Sequence, residues 1–481
     1  MTARHLQPVS DLPADPPHEP VPEPATHPAG PAAAAAASPD ADIRPGDDVG
    51  PSSAAVEPAT VRQPRTSLGT QDHTRPADDL APSAPAPDPD ATAADPATNR
   101  LPRTSPIDTQ ADDIAGDVQP QAATSIVPGP DMVQLLDPDG RPVTHPTYTA
   151  SLSDDDARTA YTQMLLARRL DDEGTHLQRQ GQLALWPPMK GQEAAQVGAV
   201  QALRNTDMVY PSYRELAMAL ARGLDPVSIF QTFRGVAHMS WDVSAHHFAL
   251  YAFVVGAQTL QATGHAMGIG LDGADEVVLC CLGDGATSEG HVNEALNYAA
   301  VFNAPVVFLV QNNQWAISVP TSKQFKAPLT QRAEGFGIPA VRVDGNDLLA
   351  VHAVIRRAAD EARTQGGPRF VEAVTYRLGA HTTADDPTRY RTREEESEWS
   401  GRDPLARVER YLREHLGAGD DFFTEAGAQA DALAADVRQR VLALPSPEIT
   451  DLYDHVLAAP SAGMREEREQ VRAYLSSLEG R

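Results

Sequence analysis

One constellation in the sequence could do chemistry. Gly283-Asp284-Gly285 follows the apolar run VVLCCL (277–282), and Asn312-Asn313 follows VVFLV (306–310), with 26 residues between the two motifs. A carboxylate and an amide oxygen, at Asp284 and Asn313, meet if the runs are neighbouring parallel strands, because both strand ends then share one sheet edge. Two hard oxygens at an otherwise sparse site suit Mg²⁺, which keeps positions for phosphate oxygens and water. The two glycines let the backbone approach a ligand closely. A helix starting near Ser288 to His291 would aim its N-terminus at a diphosphate. The alternative is an ordinary Gly-Asp-Gly turn beside an unrelated Asn-Asn loop; the strand–helix–strand context and the paired Asn favour the site.

The elements around these motifs alternate. VVLCCL is rich in β-formers, as a strand buried on both faces should be. HVNEALNYAAVF (291–302) places Val292, Ala295, Leu296 and Ala299 at helical spacing. AVRVDG (340–345) and RFVEAVTYRL (369–378) read as strands around the amphipathic helix DLLAVHAVIRRAADEART. Upstream, Ser153 caps a helix with Asp154 to Asp156 in its first turn and an apolar stripe through Tyr161, Met164, Leu165 and Leu170. GQEAAQVGAVQAL (191–203) and YRELAMALARGL (213–224) read as two more helices, and MVQLLDPDGRPV as two short strands around an Asp-Gly turn. After about Asp403 the pattern is helical, with a Pro-containing break at 444–447. The expected fold is α/β: a parallel sheet with helices on both faces.

At this point the sequence resembles a known family. GDGATSEGHVNEALNYAAVFNAPVVFLVQNNQWAIS is similar to the thiamine diphosphate motif of 2-oxo acid dehydrogenases, and specifically to the alpha subunit of their two-subunit decarboxylating component. LQRQGQLAL, GQEAAQVGA, DMVYPSYRE, GAQTLQATG and VEAVTYRLGAHTTADDPTRYR extend the resemblance over about residues 130–475. RVDGNDLLAV and TYRLGAHTTADD look closest to the branched-chain (3-methyl-2-oxobutanoate) members; pyruvate-type members share much of this text.

The resemblance implies a thiamine diphosphate-binding fold and a set of roles. Asp284, Asn313 and the carbonyl of Trp315 match Mg²⁺ ligands, and Gly285 and Ala286 match residues lining the diphosphate. Arg214 matches a diphosphate-holding arginine, paired with Tyr213. Val255 matches a residue beside the aminopyrimidine. His381 matches an active-site histidine suited to the transfer step, with Arg377 and Asp385 bracing its loop. The bound cofactor supplies a carbanion that attacks the 2-oxo carbon and an electron sink as carbon dioxide leaves. The acyl group then passes to the lipoyl arm of an acyltransferase component. The glutamate that activates the cofactor belongs to the beta subunit, so Glu193 is not given that task. An alpha2-beta2 tetramer, inactive as the alpha chain alone, follows. Pyruvate dehydrogenase is the alternative activity, and a non-catalytic scaffold the alternative class.

Several positions depart from the family. Gln311 stands where branched-chain relatives often carry an arginine, Phe253 where a small residue is usual, and Thr382 where mitochondrial relatives carry a phosphorylated serine. Ala252, Val254 and Ala257 replace the residues of a monovalent-cation site in some relatives, so none is expected. His238, His246 and His247 lie in a poorly matching stretch and receive no role.

Composition sets the frame. The chain has 481 residues, a net charge of −27 and 5% aromatics. Residues 1–125 hold no Phe, Tyr or Trp, 23 of the 42 prolines, and 7 arginines against 19 acidic residues. Such a stretch buries too little apolar surface to offset ordering entropy, and reads as a disordered spacer. The expected division is that tail, an N-terminal extension (126–152), the cofactor-binding domain (153–405) and a helical segment of the same domain (406–481). Net acidity argues against nucleic-acid binding, and no run of 18 apolar residues reads as a membrane span. The start resembles neither a signal nor a transit peptide, and Cys280 and Cys281, adjacent in one strand, are expected to be unpaired core residues. A cytoplasmic location is the expectation.

Overall fold

A computed structural model of the chain describes residues 131–453 and 456–479. The tail expected over 1–125 lies outside the described residues. Among the described residues there are eight strands: β1 (Met132–Val133), β2 (Met208–Tyr210), β3 (Val278–Gly283), β4 (Val306–Asn312), β5 (Trp315–Ala316), β6 (Val319–Pro320), β7 (Ala340–Asp344) and β8 (Arg369–Val374). Six form one sheet in the order β1-β7-β8-β4-β3-β2, and every pairing in it is parallel. β5 and β6 make a small antiparallel hairpin.

The helices are α1 (Asp154–Arg179), α2 (Glu193–Gln201), α3 (Leu216–Ala221), α4 (Pro226–Arg234), α5 (Val243–His246), α6 (Gln258–Asp272) and α7 (Gly290–Val301). The later ones are α8 (Thr321–Gln324), α9 (Leu329–Gly335), α10 (Leu348–Gln365), α11 (Arg393–Ser400), α12 (Pro404–His415), α13 (Asp420–Leu442) and α14 (Ala462–Glu479). No helix among the described residues is long and apolar enough to cross a membrane.

The period-2 alternation of the strands divides the core into two layers. Leu279, Cys281, Val307, Leu309 and Val371 pack with α1, α2, α10 and α13 on one face. Val278, Cys280, Leu282, Phe308 and Phe370 pack with α6, α7 and α9 on the other. Both cysteines are buried and free; as strand neighbours they point to opposite faces, which is why they do not pair. The α7 stripe is as its spacing predicts: Val292, Ala295, Leu296 and Ala299 are its buried residues. Ser153 caps α1, accepting from the Asp156 amide. Asp347 caps α10, accepting from the Ala350 amide.

Three expectations need correction. The helix expected over 213–224 starts only at Leu216, because the Gln196 amide oxygen receives the Ala217 N–H and Tyr213-Arg214 run in the preceding loop. The strand expected over 369–378 stops at Val374, where its neighbour β4 ends; Thr375 and Leu378 then bond to the carbonyls of Asn312 and Lys190. MVQLLDPDGRPV turns back through a single Leu136–Pro142 bridge, and its first residues join the sheet edge beside β7 instead of a hairpin.

The position of Gly191 carries a clear structural demand. Gly191 has φ +96, and a Cβ there would strike the Tyr376 carbonyl. Gly191→Ala should lower stability by about 1–3 kcal/mol, read as a lower thermal midpoint; an unchanged midpoint would contradict the packing described here.

Candidate active site

The sheet register brings four chain segments out at one edge. Gly283 pairs with Gln311, and Asn312 pairs with Val374, so the loops after β3, β4 and β8 leave side by side. Tyr210 pairs with Cys280, which adds the Tyr213-Arg214 loop. A cavity of about 240 Å³ opens there, and Tyr213, Arg214, Val255, Asp284, Gly285, Ala286, Asn313, Trp315 and His381 all line it. A smaller cavity of about 100 Å³ lies at the amino ends of β7 and β8; its charged residues Arg357, Glu361 and Arg369 are paired with one another.

Asp284 is buried. Burial raises its carboxyl to about 6, against hydrogen bonds from the Gln324 side chain and the Asn313 backbone that favour the charge. A 3-10 turn, Gly285–Ser288, follows, and α7 starts two residues later. Gly285 has to be small, since a Cβ there would lie 2.8 Å from the Ala316 Cβ.

The orientation of Asn313 is set by a relay. Gln192 Nε2 donates to the Met189 carbonyl, and Gln192 Oε1 accepts from Asn313 Nδ2 at 3.3 Å. Asn313 Oδ1 is therefore the acceptor side; it takes the Trp315 N–H at 3.3 Å and keeps a lone pair. The Trp315 carbonyl accepts from Arg377 Nη1 at 3.1 Å. The Asp284 carboxylate, the Asn313 amide oxygen and the Trp315 carbonyl make an all-oxygen donor set, which fits Mg²⁺ better than a thiolate- or imidazole-seeking metal.

Arg214 is buried; it donates to the Pro188 carbonyl and, at 3.0 Å, to the His381 carbonyl. Its guanidinium lies 5.3 Å from the centre of the Tyr213 ring. Phe253 stacks on that ring, with centroids 6.2 Å apart. His381 Nδ1 faces Arg214 Nη2 and Arg377 Nη1, each at 3.4 Å. Guanidinium groups only donate, so Nδ1 is the acceptor and the ring proton sits on Nε2. Burial, with Arg214 and Arg377 alongside, pushes the His381 pKa down to about 3, so the ring is neutral.

The His381 loop is braced as its sequence context implied. The His381 N–H donates to Asp385 at 2.9 Å, and Asp385 accepts from the Tyr390 hydroxyl. That hydroxyl accepts from Arg377 Nη2 at 2.9 Å, and the same nitrogen donates to the Ile317 carbonyl at 2.8 Å. Arg377 thus ties the 315–317 loop to the histidine loop. Burial and the neighbouring Arg214 lower its pKa to about 10, which leaves it charged. The Val255 carbonyl accepts from His291 Nε2 at 3.0 Å.

Sequence reasoning missed Gln192, Gln196 and Glu215, which orient the site from behind. Gln192 and Glu215 also line the cavity. Gln311 donates to Glu215 at 2.7 Å and accepts from Gln196 at 3.2 Å, so the amide in the place of the relatives' arginine is held within the wall. The signal was present in GQEA and YRE, but helical periodicity drew the reading toward packing. Glu193, which received no catalytic task, is fully buried, paired with Arg168 and bonded to the Gly191 amide. His246 bonds through Nδ1 to the Arg222 carbonyl at 3.0 Å, a structural contact.

A parallel sheet whose carboxyl edge gathers a buried carboxylate, two oriented oxygens and two guanidiniums around one cavity defines an α/β protein with a polar, charged pocket at that edge. The chain belongs to the dehydrogenase E1 component family, whose model matches residues 161–448. It is 46% identical over 345 residues to the 3-methyl-2-oxobutanoate dehydrogenase subunit alpha of Mycobacterium tuberculosis, covering 72% of this chain and 94% of that protein. It is 36% identical over 324 residues to the pyruvate dehydrogenase E1 component subunit alpha of Acholeplasma laidlawii (66% and 93% covered). The corresponding Staphylococcus epidermidis subunit is 38% identical over 284 residues (59% and 76% covered).

Proposed function

We propose that this chain is the alpha subunit of a branched-chain 2-oxo acid dehydrogenase, acting on 3-methyl-2-oxobutanoate with thiamine diphosphate and Mg²⁺. The family is thiamine diphosphate-dependent, and the observation that carries the reading is the convergence of Asp284, Asn313, Trp315, Arg214 and His381 on one cavity. In this reading Asp284, Asn313 and the Trp315 carbonyl hold the cation, and Arg214 holds the diphosphate through its fork of donors. Gly285 and Ala286 line the phosphates, while Tyr213 and Val255 shape the wall. The bound cofactor supplies the carbanion and electron sink for decarboxylation. His381, neutral with its proton on Nε2, offers that N–H as a hydrogen-bond donor during acyl transfer to the lipoyl arm of an acyltransferase partner. A beta subunit supplies the rest of the site and the acid–base group that this chain lacks.

The branched-chain substrate rests on the 46% identity to the mycobacterial subunit, against 36–38% to the two pyruvate-type relatives. Carbon dioxide release by the chain reconstituted with its beta subunit tests it. Relative to pyruvate, 3-methyl-2-oxobutanoate should be turned over at about 10-fold or higher kcat/KM, since added apolar carbons in a fitting pocket contribute about 1–3 kcal/mol. A hundredfold preference for pyruvate would reverse the assignment.

A further inference from the structure

Gln324 ends α8, and its side chain reaches back to Asp284. Nε2 donates to Asp284 Oδ2 at 2.7 Å and to the Val319 carbonyl at 3.1 Å. An ionised carboxylate and a carbonyl can only accept, so the amide nitrogen has to face them and Oε1 has to face away. That Oε1 is buried and has no hydrogen-bond partner. It lies 3.8 Å from the position a Cβ on Gly285 would take, next to backbone that lines the cavity. An amide oxygen buried without a donor is unfavourable and rare in folded proteins, and a bound water is one common remedy.

The β5–β6 hairpin and the α8 turn that follows it, which ends in Gln324, are held in place. Gln314 (φ 75) and Ile317 (φ 55) adopt left-handed backbone without being glycine, a conformation kept where surrounding contacts impose it. The Thr321 N–H bonds to the Gln314 carbonyl, and Arg377 holds the carbonyls of Trp315 and Ile317. From this segment, the Gln324 side chain hydrogen-bonds to Asp284.

We propose that Gln324 is a positioning residue of the divalent-cation site. Nε2 fixes one oxygen of Asp284 so that the carboxylate's remaining lone pairs meet the cation, and Oε1 accepts a hydrogen bond from a water bound to that cation. A cation polarises its water into a strong donor, which is what the orphaned oxygen requires. This rests on Asp284 being a cation ligand. It also couples cation binding to the order of the 315–324 segment, which brings Trp315 to the site.

The test is a Mg²⁺ titration of the alpha–beta pair at saturating thiamine diphosphate, followed by calorimetry and tryptophan fluorescence. Gln324→Met keeps the side-chain length and removes both polar ends. Mg²⁺ affinity should weaken about 10–100-fold, the range for loss of a group that orients a metal ligand, with the thermal midpoint of the cation-free protein unchanged. With Mn²⁺ in place of Mg²⁺, water-proton relaxation should show faster exchange of bound water in Gln324→Met and in Gln324→Leu. Unchanged affinity and water exchange would overturn the proposal, as would a lowered midpoint with unchanged affinity. Asp284→Asn separates the two levels: if it too leaves Mg²⁺ affinity unchanged, the parent assignment fails; if it abolishes binding while Gln324→Met does not alter it, only the role of Gln324 fails.

Discussion

Asp284→Asn should reduce decarboxylation by the reconstituted alpha–beta pair about 1,000-fold or more, with saturable Mg²⁺ and thiamine diphosphate binding lost. The magnitude follows from its position. Asn313 and Trp315 offer only neutral oxygens, so Asp284 is the formal negative charge that this chain places among the proposed ligands, at the sheet edge where the β3 and β4 loops meet. A hard divalent cation depends on that charge more than on neutral carbonyls. The fold should survive the substitution. Burial raises the carboxyl to about 6, above its unfolded value near 3.9. A carboxyl whose folded pKa is raised binds its proton more tightly in the native state, so above pH 6 the ionised group weakens the fold instead of supporting it. At neutral pH the thermal midpoint of Asp284→Asn should therefore match or exceed that of the parent protein. Retained activity, or activity lost only because the midpoint collapses, would contradict a ligand role.

His381→Asn should separate the two half-reactions. Transfer to the lipoyl arm should fall about 100- to 1,000-fold, the usual cost of removing a positioned hydrogen-bond donor. Decarboxylation read with an artificial electron acceptor should fall less than about tenfold by the same reasoning. The structure motivates the split through the tautomer. Arg214 and Arg377 face Nδ1, so Nε2 carries the proton. Asp385 and Tyr390 hold the backbone of the loop without touching the ring nitrogens. Asparagine retains a polar side chain in the wall but is too short to place a donor where the Nε2–H stands. Equal loss in both assays would assign His381 to cofactor binding alone.

The sheet and the meeting of Asp284 with Asn313 at one cavity were legible in the sequence because their signals are local and periodic. VVLCCL and VVFLV are unbroken apolar runs, and both became strands buried on two faces. The stripe in 291–302 matched the buried face of α7. Asp284 and Asn313 could be paired because parallel topology fixes where strand ends meet. What local pattern could not show is where an element gives up its hydrogen bonds. The helix at Leu216 starts late because Gln196, a residue on another helix, caps it. β8 stops at Val374, level with the end of β4 at Asn312, whose carbonyl takes the Thr375 N–H as the last bond between them. The amide network behind the site was hidden for the same reason: Gln192 and Asn313 are 121 residues apart, and Gln311 and Glu215 are 96 apart. Gln324 carries no periodic signal, and only its contact with Asp284, 40 residues away, singles it out.

The central claim is that this chain provides one part of a thiamine diphosphate site and a beta subunit provides the rest. Carbon dioxide release from 3-methyl-2-oxobutanoate, measured for the chain alone, for its beta subunit alone and for the two combined, tests it most directly. The account predicts turnover only in the combined sample, dependent on both thiamine diphosphate and Mg²⁺. Turnover by the chain alone, or a combined sample that stays inactive with both cofactors present, would contradict it.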